Sequence, residues 1–118
     1  MQVPQIFGSI LGIVLFLPKN EAYRSRKLLD LAKGQACVMC GLQDGTVVAA
    51  HSNLLEHGKG RGMKADDSMA AWLCYPCHTE YDQGSKMDKL ERRDFILTAI
   101  CKTHQMLWRL GLVAVKNV

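Results

Sequence analysis

The sequence predicts a small α+β domain of the treble-clef type, in which a metal-binding knuckle is followed by a β-hairpin and a helix. The first observation is a pair of Cys-x-x-Cys motifs, at Cys37–Cys40 and Cys74–Cys77, and the second is a β-branched segment between them, at 46–51. Two thiolates with this gap can bind one metal ion, and four of them complete a tetrahedral zinc site. Thirty-three residues separate the pairs, enough for a hairpin, so the zinc core is expected over 35–84.

The short chain and its cysteines predict that a bound metal ion stabilises the fold. A chain of 118 residues with 48% hydrophobic content is expected to fold as one domain, over 18–118, that is too small to lose a structural metal without losing much of its stability. The cysteine count is odd, which favours thiolate ligation in a reducing cytosol over a disulfide framework. The fifth cysteine, Cys101, lies in an apolar helical stretch and is expected to be a buried, inert thiol.

An apolar run at 6–17 makes up most of the N-terminal segment 1–17, which we treat separately from the domain. The run is shorter than the roughly twenty residues that span a bilayer. It also lacks the basic start and the cleavage site of a signal peptide. No membrane partner is therefore expected. Three interpretations remain open, namely a strand or helix packed on the core, a partner-binding segment and an upstream extension, and we favour the first.

From residue 18 the chain becomes basic, and Ser25 is placed to cap a short helix that ends near Gly34. The basic residues of this segment form either a solvated face or a phosphate-contacting surface. After the first cysteine pair, a turn leads into the strand at 46–51, and a second strand at 68–73 leads into Cys74. These segments supply the helix and the hairpin of the predicted fold.

Two helices complete the prediction. One is expected to run from about 77 to 83, and a long amphipathic helix is expected over 88–110, with Gly111 as its stop. The long helix should pack across the metal core. His104 lies within it and is expected to have a structural role.

Three side chains outside the cysteine pairs could carry chemistry. His51 ends the first strand, His78 follows the last cysteine, and Asp82 comes four residues later on the same helix face. A treble clef would bring the strand end and the helix together. His78 and Asp82 could then bind a second, open metal ion, while neutral His51 takes a proton from an attacking water.

The segment between the strands is rich in glycine and basic residues. Lys59, Arg61 and Lys64 alternate with glycines in an order that does not fit a nucleotide-binding P-loop. The net charge of +4 suits an anionic partner, so these side chains are candidates for contacts with a DNA backbone. The alternative is an ordinary exposed loop.

Taken together, these motifs resemble the His-Asn-His (HNH, ββα-metal) endonucleases. The patterns that carry the resemblance are Cys37-x-x-Cys40, Ala50-His51, Gly60-x-Gly62-Met63-Lys64-x-x-Asp67 and Cys74-x-x-Cys77-His78-x-x-x-Asp82. The sequence is most similar to small phage and prophage nucleases of the YbcO type, and more distantly to the phage recombination endonuclease Ref. The resemblance covers roughly 18–112 and leaves the N-terminal segment outside.

The resemblance implies a role for each of these residues. His51 would be the general base, and His78 with Asp82 would hold a catalytic divalent ion such as Mg²⁺. The sequence departs from the family pattern at Ala50, where an acidic or histidine ligand is common, and at Met69, where many relatives have the middle asparagine. Asp67 is a possible compensating metal ligand, as is Asn53.

The resemblance also implies a setting. DNA would be the substrate, the bacterial host cytoplasm the location, and phage or host recombination proteins the possible partners.

Two other functions are open. The first is a non-catalytic zinc module that binds DNA or a recombination protein and has lost its chemistry at Ala50. The second is thiol redox catalysis, which is disfavoured because two Cys-x-x-Cys pairs at this spacing would satisfy each other through a metal ion.

Overall fold

The structure, a computed structural model, describes residues 21–116 of the chain. Its elements are α1 (Arg26–Asp30), β1 (Val48–His51), a 3-10 turn (Leu55–His57), β2 (Ala70–Leu73), α2 (Tyr75–Gln83) and α3 (Lys89–Arg109). The apolar run at 6–17 lies outside the described residues. The predicted small α+β, treble-clef-like fold with a helix before and after the metal core is confirmed.

Helix α1 begins where the sequence predicts. The Ser25 hydroxyl accepts a hydrogen bond from the Leu28 amide at 3.1 Å, which satisfies one of the free amides of the first turn. After Asp30 the chain continues in turns to Gly34, whose φ of 80° suits glycine. The knuckle then follows directly.

Strands β1 and β2 form an antiparallel hairpin in which Val48 pairs with Leu73 and His51 pairs with Ala70. Both strands begin two residues later than predicted. Thr46 is held outside β1 because the Asp44 carboxylate accepts hydrogen bonds from its amide and its hydroxyl. Met69 is held in a turn by a hydrogen bond from its amide to the Asp66 carbonyl. The hairpin still places His51 at the end of β1.

Helix α2 begins at Tyr75, two residues before the predicted start, with Cys74 as its N-cap and Pro76 in the first turn. Its C-terminal carbonyls are satisfied from outside the helix. The Arg92 guanidinium, on α3, donates hydrogen bonds to the carbonyls of Glu80, Tyr81 and Gly84. This arginine therefore links the end of α2 to α3.

Helix α3 is fixed at both ends. Asp88 and Glu91 form a reciprocal capping box, and Gly111, with φ of 70°, follows the C-cap. The helix packs on β2, where the Thr103 hydroxyl accepts a hydrogen bond from the Trp72 amide at 2.9 Å and donates one to the Ala99 carbonyl. His104 accordingly has a structural contact, from Nε2 to the Ser68 carbonyl oxygen at 2.9 Å.

The core lies between the hairpin and α3. The buried face of α3 consists of Ile96, Ala99, Ile100, Thr103 and Leu107, at helical spacing. The expectation that Cys101 is buried is wrong, because this side chain is exposed. One residue past Ile100 is a rotation of about 100°, which takes the thiol off the buried stripe. Leu90, near the start of α3, is 75% exposed and lies off this buried face.

The described helices do not include one that is long and apolar enough to cross a membrane.

Candidate functional site

The four paired cysteines meet at one point. Cys37 and Cys40 lie in a knuckle closed by a hydrogen bond from the Gly41 amide to the Cys37 carbonyl at 2.9 Å, and Gly41 has a φ of 83°. Cys74 follows β2, and Cys77 lies in the first turn of α2. The four sulfur atoms all lie within 4.8 Å of one another.

This arrangement fits a tetrahedral metal ion. Zinc–sulfur bonds of about 2.3 Å place the sulfurs of a tetrahedral site about 3.8 Å apart. The Sγ atoms of Cys40 and Cys74 are 3.5 Å apart, and all four cysteines are free thiols. An all-sulfur set of ligands is typical of structural zinc sites, which are closed to substrate. The grouping of the four cysteines expected from their spacing is therefore confirmed.

The thiols do not ionise equally in the absence of a cation. Burial raises the pKa of Cys77 well above its ordinary value, and the neighbouring thiols of Cys74 and Cys40 add to that effect. Burial likewise raises the pKa of Cys74. For Cys37, burial is outweighed by backbone hydrogen bonds from Cys40, Cys74 and Met39, which bring its pKa to about 7. Four clustered sulfurs carry full negative charge only with a cation between them.

A second site lies where the end of β1 faces α2. A cavity of about 210 Å³ is lined by Ala49, His51, Ser52, Asn53, Lys59, Lys64, His78 and Asp82. The strand end positions His51, and the spacing of four residues places His78 and Asp82 on one face of α2. His78 Nε2 lies 3.6 Å from Asp82 Oδ2. Six of the residues singled out in the sequence thus line one cavity, namely His51, Asn53, Lys59, Lys64, His78 and Asp82.

His78 and Asp82 offer two ligands, not a closed set. Among residues 21–116, the four cysteines are the group of three or more potential ligands that could enclose an ion. A divalent cation held by His78 and Asp82 would keep open positions for water and phosphate oxygens, as in catalytic sites. Ala50 is buried in the core. Because successive side chains of a strand point to opposite faces, Ala50 points away from the cavity that His51 lines.

Asn53 connects this cavity to the helix. Its side-chain amide donates a hydrogen bond to Asp82 Oδ1 at 3.3 Å, and its backbone amide donates one to the Tyr81 hydroxyl at 2.9 Å. Tyr81 is buried, and burial raises its pKa. No local sequence pattern indicates this hydrogen bond, because it joins residues 28 positions apart.

Asp67 has a different environment from the one expected of a metal ligand. It does not line the cavity, and its side chain is 4% exposed. Oδ1 lies 2.8 Å from His51 Nε2 and 3.1 Å from an Arg24 nitrogen, and Oδ2 accepts a hydrogen bond from the Ser25 amide at 2.7 Å. Burial alone would raise the pKa of Asp67, but the hydrogen bonds from His51, Ser25 and Arg24 outweigh it and lower the pKa.

Arg24 holds the loop that precedes β2. Besides Asp67, its guanidinium donates hydrogen bonds to the carbonyls of Ala65, at 2.5 Å, and Lys64, at 2.8 Å. Arg24 belongs to the basic segment after residue 18, for which the sequence predicts either a solvated or a phosphate-contacting surface. The structure instead gives it protein partners about 40 residues away, which no local pattern indicates.

The glycine-rich segment folds as a tight turn. The backbone amides of Gly60 and Met63 each donate a hydrogen bond to the other's carbonyl, and the turn separates the basic side chains. Lys59 and Lys64, on either side of the turn, line the cavity with His51 and His78. Arg61, at the exposed tip, does not.

A model of the family described as Putative nuclease YbcO matches residues 26–112, about three quarters of the chain. No curated protein and no solved structure matches. The family match includes the four clustered cysteines and the residues around the cavity, while Arg24 and Ser25, which hold Asp67, precede it. Because the match covers well over half of the sequence, this chain belongs to the Putative nuclease YbcO family.

Proposed function

We propose that this protein is a metal-dependent endonuclease of the HNH type that hydrolyses phosphodiester bonds in DNA. The observation that carries the proposal is the single cavity lined by His51, His78 and Asp82 together with Lys59 and Lys64. A proton acceptor, two side chains that can ligate a metal ion and two cations are groups that metal-assisted phosphodiester hydrolysis can use. The family match supports the nuclease assignment.

Each of these groups has a distinct role in the proposed reaction. Lys59 and Lys64 attract and orient the DNA backbone at the cavity. His51 accepts a proton from the water that attacks the phosphorus. His78 and Asp82 would hold a divalent ion such as Mg²⁺, which would supply positive charge to stabilise the phosphate and its leaving oxygen. No covalent intermediate with the protein is needed.

The four cysteines hold a structural zinc ion in this proposal. The site joins the knuckle, the end of β2 and the start of α2, so it fixes the helix that carries His78 and Asp82. Zinc therefore acts on catalysis only by holding the fold. As the setting, we propose phage or prophage DNA recombination in the cytoplasm of a bacterial host, with recombination proteins as partners. This setting rests on the resemblance to phage and prophage nucleases.

A plasmid-nicking assay tests the proposal. Wild-type protein treated with EDTA and re-supplied with Mg²⁺ or Mn²⁺ should recover cleavage, and His51→Ala should lower the rate about a hundredfold or more, the scale for losing a general base. His104→Gln is the matched control, because His104 lies outside the cavity and glutamine can still donate to the Ser68 carbonyl. DNA affinity and zinc content should be unchanged in both variants.

The second candidate function is a non-catalytic zinc module that binds DNA or a recombination protein. The observation that favours it is the short set of ligands in the cavity, because Ala50 brings no third ligand. Wild-type protein that binds DNA but cuts neither single-stranded, double-stranded nor branched substrates with any added divalent metal would establish this function. Cleavage by His51→Ala at the wild-type rate would also reject the catalytic assignment.

A further inference from the structure

The proposed mechanism does not use the contact between His51 and Asp67. The two side chains meet at 2.8 Å, from Nε2 to Oδ1, and both are largely shielded from solvent. Asp67 is not among the residues that line the cavity, and its side chain is 4% exposed, so it lies behind His51. Its direct contact with a cavity residue is the one to His51.

The environment of Asp67 makes it a fixed hydrogen-bond acceptor. The Ser25 amide and the Arg24 guanidinium can only donate, and they occupy Oδ2 and Oδ1 respectively. Together with His51, they lower the pKa of this carboxyl, so it is ionised at neutral pH. An ionised carboxylate has no proton to give, which means that the hydrogen bond to His51 must use a proton on Nε2.

The protonation of one ring nitrogen determines the other. A neutral imidazole that carries its proton on Nε2 has a lone pair on Nδ1. Among residues 21–116, Nε2 of His51 has a hydrogen-bond partner and Nδ1 has none. The nitrogen left for a proton from water is therefore Nδ1, on a side chain that lines the cavity with His78 and Asp82.

We propose that Asp67 is the positioning residue of His51, and that it fixes the imidazole as the Nε2–H tautomer with Nδ1 free to accept a proton. The proposal rests on the proposed function, in which His51 is the general base. Arg24 and Ser25, which precede the family match, are part of this device because they hold the carboxylate in place.

The first test reads the tautomer directly and needs no nuclease activity. In ¹⁵N NMR spectra of the zinc-loaded full chain at about pH 8, wild-type His51 should show a protonated Nε2 and an unprotonated Nδ1. Asp67→Asn should shift the ring toward a mixture of tautomers, because an amide does not enforce the Nε2 proton. A wild-type His51 protonated at Nδ1 overturns the inference, whatever the cleavage assay shows.

The second test measures the kinetics of cleavage. Asp67→Asn should lower kcat about ten- to hundredfold, the scale for removing the partner of a functional histidine, with KM nearly unchanged. The other charged groups around His51, which are Lys59, Lys64, His78 and Asp82 in the cavity and Arg24 behind Asp67, are the same in both proteins.

Arg24→Gln separates positioning from simple loosening of the segment at 23–25. This variant removes the guanidinium but keeps the contact between His51 and Asp67, so its kcat should fall much less than that of Asp67→Asn. Equal losses of kcat in the two variants, or an Asp67→Asn variant whose loss is in KM and not in kcat, would overturn the positioning role. A wild type with the Nε2–H tautomer that shows no metal-dependent cleavage would reject the proposed function instead.

Discussion

The two candidate metal sites of this protein use different ligands and have different access to solvent. At the cysteine group, four soft sulfur ligands surround one point, and Cys37 and Cys74 are buried. At the cavity, His78 and Asp82 are partly exposed, and His78 Nε2 lies 3.6 Å from Asp82 Oδ2. These two side chains would leave the remaining coordination positions of a bound ion open to the cavity. Four protein ligands fill the coordination sphere of a tetrahedral ion and exclude substrate, whereas two protein ligands leave positions at which a substrate can bind. The first arrangement can support a fold, and the second can support a reaction.

The two sites share one helix. Cys77 and His78 are neighbours in α2, yet their side chains belong to different sites. Consecutive residues on a helix point about 100° apart, so one turn can serve both a closed centre and an open cavity. This separation means that the open cavity can be disabled by substitution while the closed centre stays intact.

The largest effect is expected at the closed centre. Cys74→Ser should unfold or aggregate the protein and abolish binding of about one zinc per chain, because metal binding in a small domain contributes folding free energy on the order of 10 kcal/mol. Far-UV circular dichroism and zinc quantification measure this. Cys101→Ser is the matched control, since Cys101 is exposed on α3 and outside the cluster. A metal-free protein that keeps its fold with all four cysteines replaced would contradict the assignment of the centre.

The fold was predictable because its signals are local. The Cys-x-x-Cys spacing, the turn before β1, the cap at Ser25 and the stop at Gly111 each involve residues within a few positions of one another. Cys101 was predicted wrongly because a helical stripe is narrow, and a one-residue error in phase moves a side chain from core to solvent.

The cavity was only partly predictable. The strand end at His51 and the spacing of His78 and Asp82 placed these side chains near one another, and the structure brings them into one cavity, although their roles remain predictions. The partners of Asp67 could not be found in this way. Arg24 and Ser25 precede it by more than 40 residues, and their contact depends on the path of the whole chain.

The next largest effect is expected at the open site. His78→Ala or Asp82→Ala should lower cleavage at limiting Mg²⁺ at least tenfold, with partial recovery at high Mn²⁺, because each variant loses one ligand of the ion. The double variant should cost little more than the worse single variant, since both residues serve one ion. Cleavage rates across a metal titration measure this.

Asp94→Ala provides the control for these variants, because Asp94 is an exposed carboxylate on α3 away from the cavity. Zinc content should stay at the wild-type value in all of them. Full additivity of the two losses would mean that His78 and Asp82 do not serve one ion. Loss of zinc in either single variant would mean that the open site and the closed centre are not independent.

A smaller effect is expected from the cations around the open cavity. Lys59→Gln with Lys64→Gln should weaken binding to unrelated DNA sequences and lower the slope of log affinity against log salt by roughly 2, because about one counterion is released for each phosphate contact. Arg61→Gln should change the slope less, since Arg61 lies outside the cavity lining. Fluorescence anisotropy at several salt concentrations measures both. Equal slopes for the double variant and wild type would make the turn an ordinary surface feature.

The smallest expected effect concerns the stability of the segment that supports the open site. Arg24→Gln removes an ion pair to buried Asp67 and hydrogen bonds to two loop carbonyls. Because the Arg24 side chain is 42% exposed, solvent screens part of this interaction, and the loss in free energy of unfolding should be about 1–2 kcal/mol. Arg26→Gln, an exposed change two residues along, should stay within about 0.5 kcal/mol of wild type. Urea unfolding of the zinc-loaded proteins at pH 7.5 measures the difference. If the two variants were equally stable, Arg24 would be as solvated as its neighbour, and the support for Asp67 would come from the Ser25 amide alone.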